Sequence, residues 1–204
     1  MTKSISCGFA VLVLVSIAYS QDFPGPGYVF HPNQEIRVRQ LPSLMARSDD
    51  LTEVLLTSLD TVFNNRSICC GKDSALEDSA AAADPLSLKE VASKLQGRHL
   101  LSDGRPIQIT ADYLSPSTVD AYRIISALID KHALLTVWKS HLYVLYGATF
   151  DETLYTDGTR MDVIHKLMFL DTRYSDSRRE VAFNRDTDDF DKVKGMLLLT
   201  VTPQ

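Results

Sequence analysis

Cysteine is scarce in this 204-residue chain, which carries only Cys7, Cys69 and Cys70. No Cys-x-x-Cys pair and no His-Glu-x-x-His run occurs, so the usual zinc sites have no motif here. Proline and glycine number 8 and 9, too few for a collagen-like or low-complexity chain. Positive charge is not in excess either: the formal net charge is −5, which gives no general attraction for nucleic acid or an anionic membrane surface. A Gly-rich phosphate loop is missing. Asn184, Asp186 and Asp188 have calcium-loop spacing, but Asp189 stands in place of the turn glycine and Gly195 in place of the bidentate glutamate. A solvated acidic turn is expected there, with no metal and no cofactor anywhere in the chain. What remains is 45% hydrophobic and 23% charged, the composition of a globular domain.

Lys3, the apolar residues 8–15 and the small residues Ala18 and Ser20 before Gln21 make the pattern of a secretory signal peptide. The apolar run falls short of the ~20 residues a spanning helix needs, so cleavage near Ser20-Gln21 is expected rather than anchoring. The expected product is exported, periplasmic or secreted, without stable membrane insertion.

Cleavage would leave Cys69 and Cys70 as the mature chain's cysteines. Their Cα atoms stand about 3.8 Å apart, below the roughly 4.4–6.8 Å usual across a disulfide. A staple is therefore not expected. A buried apolar thiol, an intermolecular bridge or a reactive thiol remain.

Residues 21–49 are punctuated by Pro24, Pro26, Pro32 and Pro42 and read as an extended arm. Residues 50–204 read as one domain. Leu51, Val54, Leu55, Leu59 and Val62 recur at helical spacing, followed by a loop from Asn64. A second helix is expected after Gly71, ending at Asp84-Pro85. Ser87-Leu88-Lys89-Glu90 has the form of a capping box for a third helix. A fourth is predicted over 117–131, capped by Ser117. Strands are then expected at 133–138, 141–147, 161–170, 180–184 and 196–201, with turns at Lys139-Ser140 and Asp157-Gly158. Helices first and antiparallel strands second is an α+β layout.

Cys70 precedes a predicted helix, where unpaired N–H groups and the helix dipole stabilise a thiolate. Such a nucleophile needs a base and an acceptor to orient it. Among the histidines, His31 and His99 read as solvated, His132 as a helix-end cation and His165 as an exposed strand residue. His141 opens a long apolar strand after a tight turn, a position that holds an imidazole rigidly. Asp171 ends the strand after it, as the third member of a triad would. Read alone, His141 also fits a strand-end histidine bonded to its turn, and Asp171 an ordinary strand-ending aspartate. Arg173, Arg178 and Arg179 with Asp171, Asp176 and Glu180 read as a surface charge network, each pair worth little.

The ordered set Cys70-Gly71, then HLYVLYG from His141, then VIHKLMFLD ending at Asp171 resembles papain-like cysteine peptidases. It is most similar to the small bacterial branch that includes the bacteriocin-leader, double-glycine-cleaving enzymes. The resemblance implies a papain-like α+β fold, helices packed on an antiparallel sheet. It implies Cys70 as nucleophile with Cys69 in reserve, His141 as base and Asp171 as its orienting acceptor. Asn64, six residues before Cys70, stands where the family has a glutamine that donates to the oxyanion. Thr172 replaces the family's usual proline. The substrate implied is a peptide or protein. The alternative from the same residues is a non-catalytic exported module binding a peptide or a cell-wall component.

Overall fold

Leu51, Val54, Leu55, Leu59 and Val62 repeat at the period of a helix, and they open the α-helical part of the chain as α1 (Leu51–Asn64), with Val54, Leu55, Leu59 and Val62 buried. The computed structural model describes residues 27–38, 46, 49–64, 73–116, 119–174, 178–182 and 193–204. The expected signal segment and Cys69, Cys70 and Gly71 lie outside the described residues. Ahead of α1 runs β1 (Tyr28–Arg37), so part of the expected arm is a strand of the sheet.

Two short helices follow, α2 (Ser74–Ala81) and α3 (Leu88–Leu95). The expected capping box does not form. Ser87 sits at ψ 77°, short of extended N-cap geometry, and its hydroxyl makes no capping bond. After α3 come β2 (Gly97–Leu100) and β3 (Pro106–Leu114). The fourth helix is shorter than predicted: α4 (Ala121–Ile129) starts after Asp120, whose carboxylate accepts from the Arg123 N–H. An aspartate there satisfies an orphan donor and complements the dipole, so the cap is Asp120 and not Ser117.

The remaining strands are β4 (Leu134–Trp138), β5 (His141–Tyr155), β6 (Arg160–Leu170), β7 (Arg178–Ala182) and β8 (Val193–Pro203). Among the described residues they form one antiparallel sheet in the order β2-β3-β8-β4-β5-β6-β7, with β1 paired to β5. The fold is α+β.

β5 is long enough to serve three neighbours. β6 runs along one edge from Val144 to Leu154. On the other edge, β4 pairs with His141–Leu145 and β1 with Gly147–Tyr155. The handover falls at Gly147, where a Cβ would stand 2.9 Å from the Ile36 carbonyl oxygen and 2.9 Å from the Met168 sulfur. All five residues of β4 are buried. Because successive strand side chains alternate faces, β4 is covered on both sides. Helix α1 packs against β4 and β5, α3 against β3, β8 and β4, and α4 against β6, β1 and β5. Among the described residues no helix is long and apolar enough to cross a membrane.

Candidate functional site

The β4–β5 turn builds the site's near wall. Trp138 and His141 close the hairpin as a cross-strand pair, leaving Lys139-Ser140 as a two-residue loop. Both loop residues are left-handed, at φ 49° and 63°, the geometry whose twist matches the flanking strands. That path lets the Lys139 carbonyl reach the ring of His141, whose Nδ1 donates to it at 2.9 Å. A carbonyl oxygen only accepts, so Nδ1 carries the proton and Nε2 is the basic nitrogen. His141 is exposed, while the next seven residues of its strand are buried.

Beside the imidazole lies an aromatic cluster. The Tyr143 ring is 6.4 Å from that of His141 and 5.6 Å from Phe169. Trp138 stacks on Phe169 at 6.0 Å and 16°, and Lys139 Nζ lies 4.2 Å over the indole. The Trp138 Nε1 proton is buried with no hydrogen-bond partner among the described residues.

β6 returns antiparallel to β5 in a register that pairs Val144 with Leu170. One step further, Asp171 reaches the level of Tyr143, two residues along from His141. The hairpin thus brings His141 and Asp171 to the same end of the sheet, but their side chains bond elsewhere. The Asp171 carboxylate is fully buried and holds Arg173 at 2.6 Å through Nη2 and 2.8 Å through Nε. The Arg173 N–H adds a bond of 3.2 Å to Oδ1. Folding pushes the Arg173 guanidinium above its ordinary value, chiefly through its hydrogen bonds to Asp171. The expected surface pair of Arg173 and Asp171 is therefore an interior ion pair. Its guanidinium also faces the rings of Tyr143 at 6.0 Å and Tyr174 at 5.4 Å.

Thr172 is buried and ties this strand end to the helical layer. Its hydroxyl bonds that of Ser58 on α1 at 2.9 Å, and its carbonyl accepts from the Ala46 N–H at 2.7 Å. At the far end of α1, Asn64 is the helix's last residue, not the first of a loop. Its side chain, like Cys70, lies outside the described part.

No protein-family model matches this chain, and no curated protein or solved structure shows significant similarity to it.

Two histidine–carboxylate pairs were missed in the sequence. His31 Nδ1 lies 2.9 Å from Glu152 and His165 Nε2 lies 2.9 Å from Asp151. Glu152 also faces Arg160 at 3.2 Å, and Arg160 Nε bonds both oxygens of the buried Asp162 at 2.9 and 3.0 Å. The His31–Glu152 partners are 121 residues apart, so no local motif announces them. Likewise, the ring of His99 bonds the Leu95 carbonyl at 2.8 Å and is not simply solvated. Among the described residues no group of histidine, cysteine, aspartate and glutamate could hold a metal ion.

Proposed function

We propose that this chain is an exported cysteine peptidase or amide-bond transferase of papain-like fold, acting on a peptide or protein substrate. The observation that supports it best is His141: an exposed imidazole at the head of a buried strand, with Nε2 as its basic nitrogen. In this reading Nε2 takes the Cys70 thiol proton, and the thiolate adds to the substrate's acyl carbon. Asn64 or main-chain N–H groups meet the resulting oxyanion. The carbon–nitrogen bond breaks as Nε2 returns the proton to the leaving amine, giving a thioester on Cys70. Water then adds, its proton passing to Nε2, and the released thiolate recovers it. A transferase differs only in that an amine replaces water. Asp171 is the acceptor that the family resemblance gives to His141.

The second reading, a non-catalytic exported module for a peptide or cell-wall component, draws its support from Asp171. That carboxylate serves Arg173 in the interior, as it would in a protein with no use for a triad. Peptide mixtures analysed by mass spectrometry separate the two. Cleavage or transfer that survives Cys69→Ser and disappears in Cys70→Ser and His141→Ala is expected. Binding of peptides by all four proteins, with no product from any, selects the binding module. If Cys69→Ser is the inactive variant instead, the nucleophile is Cys69, and Asn64 stands five residues before it.

A further inference from the structure

We infer that the main-chain carbonyl of Lys139, and not the carboxylate of Asp171, orients His141 and makes Nε2 its working nitrogen. This deepens the peptidase reading and rests on it for the use to which the base is put. An imidazole has two nitrogens, and a base that takes a proton with one must have the other held. Here Nδ1 donates to Lys139 O at 2.9 Å, which leaves a single nitrogen for chemistry. An aspartate at Nδ1 would have to displace that bond, and Asp171 already holds Arg173 through both its oxygens.

The turn supplies an independent observation. Lys139 and Ser140 are both left-handed, at φ 49° and 63°, yet neither is glycine or asparagine. A two-residue hairpin loop demands that geometry of whichever residues occupy it, so the turn itself sets where the Lys139 carbonyl points. Both turn residues are held from outside the backbone. Lys139 Nζ rests 4.2 Å over the Trp138 ring, and Lys194 Nζ bonds Ser140 Oγ at 3.2 Å. Both contacts are made by the two residues of the turn that presents the carbonyl to the ring. In acyl transfer, Nε2 takes the proton of the nucleophile and later gives it to the leaving amine. Throughout, the proton stays on Nδ1 and is donated to Lys139 O, so the imidazolium is stabilised by a carbonyl dipole instead of a carboxylate charge. Among the described residues, the charged and titratable groups at this turn are Lys139, Tyr143, whose ring is 6.4 Å from that of His141, and Lys194, bonded to Ser140; Asp171 and Arg173 pair with each other.

Nitrogen-15 NMR of the histidine rings in the whole mature protein tests this without any turnover. Above its titration, His141 is expected to carry its proton on Nδ1, the reverse of the form a solvated histidine prefers. Asp171→Asn should leave that tautomer unchanged. An Nε2-protonated ring in the parent protein, or a tautomer that changes in Asp171→Asn, overturns the inference. If that variant fails to fold because Arg173 is left alone in the interior, Asp171→Asn with Arg173→Gln removes both charges and is read the same way. Peptide cleavage is scored separately. An Nδ1-protonated ring in a protein that cleaves nothing keeps this inference and ends the peptidase reading. Cleavage by a protein with the Nε2-protonated ring does the opposite.

Discussion

Asp171 and Arg173 stand two apart in sequence and form an ion pair inside the protein, the aspartate side chain fully buried and the arginine's 13% exposed. Removing one partner of such a pair leaves the other charge uncompensated. Asp171→Ala is therefore expected to destabilise by about 3 kcal/mol, and the double change of Asp171 and Arg173 to apolar residues by much less. Urea denaturation of the three proteins checks it. Folding raises the pKa of Arg173, so its share of the stability is complete at neutral pH and is lost only in strong alkali, as pH rises through the raised value. Acid sensitivity has other sources. Asp103 and Asp157 are held below their ordinary 3.8, first by the backbone N–H groups of Arg105 and Thr159 respectively. A depressed carboxyl contributes above its unfolded pKa and stops contributing as pH falls through the folded one. Carboxyl NMR titrations should place both midpoints below 3.8. Sequence showed His141 and Asp171 as candidates because each sits at a strand end. It could not show that Asp171 would face Arg173 within the interior, since burial depends on which segments later cover a position.

At the level of elements, the β4–β5 turn and the β5 handover carry the expectations. Ser140→Gly relieves a left-handed non-glycine residue and should raise stability by about 1 kcal/mol, read as a higher Tm, with the hairpin intact. Gly147→Val should do the opposite. Its side chain meets Ile36 O and the Met168 sulfur, so β1 must shift off β5. A loss of about 1–3 kcal/mol is expected, with faster amide exchange confined largely to β1. Helices α1, α3 and α4 were legible in their apolar spacing, and strands β4 and β6 and the first half of β5 in their aromatic and β-branched content, whereas β5 runs on past the expected 141–147 to Tyr155. β3 was not expected, although Ile107, Ile109, Ala111 and Tyr113 alternate with polar residues along it. β1 was hidden more deeply. Its residues are mostly exposed and include Pro32 and the left-handed Asn33. A strand of that kind is specified by the β5 edge it pairs with, and a single-sequence pattern does not contain that edge.

For the molecule as a whole, the expected order of helices followed by strands led to the α+β class, which holds although β1 precedes α1 and β2 and β3 precede α4. The β5–β6 hairpin around Asp157-Gly158 was enough to bring Asp171 back to the His141 end of the sheet. Identity of the chemistry is a different matter, because it rests on whether a thiol meets that imidazole. The most direct measurement is the rate of iodoacetamide alkylation at Cys70 in the mature protein across pH, assigned by mass spectrometry. A nucleophile paired with His141 should react with an apparent pKa well below the ~8.5 of an ordinary thiol, and His141→Ala should return it to that value. A Cys70 that titrates near ~8.5 in both proteins contradicts the peptidase reading.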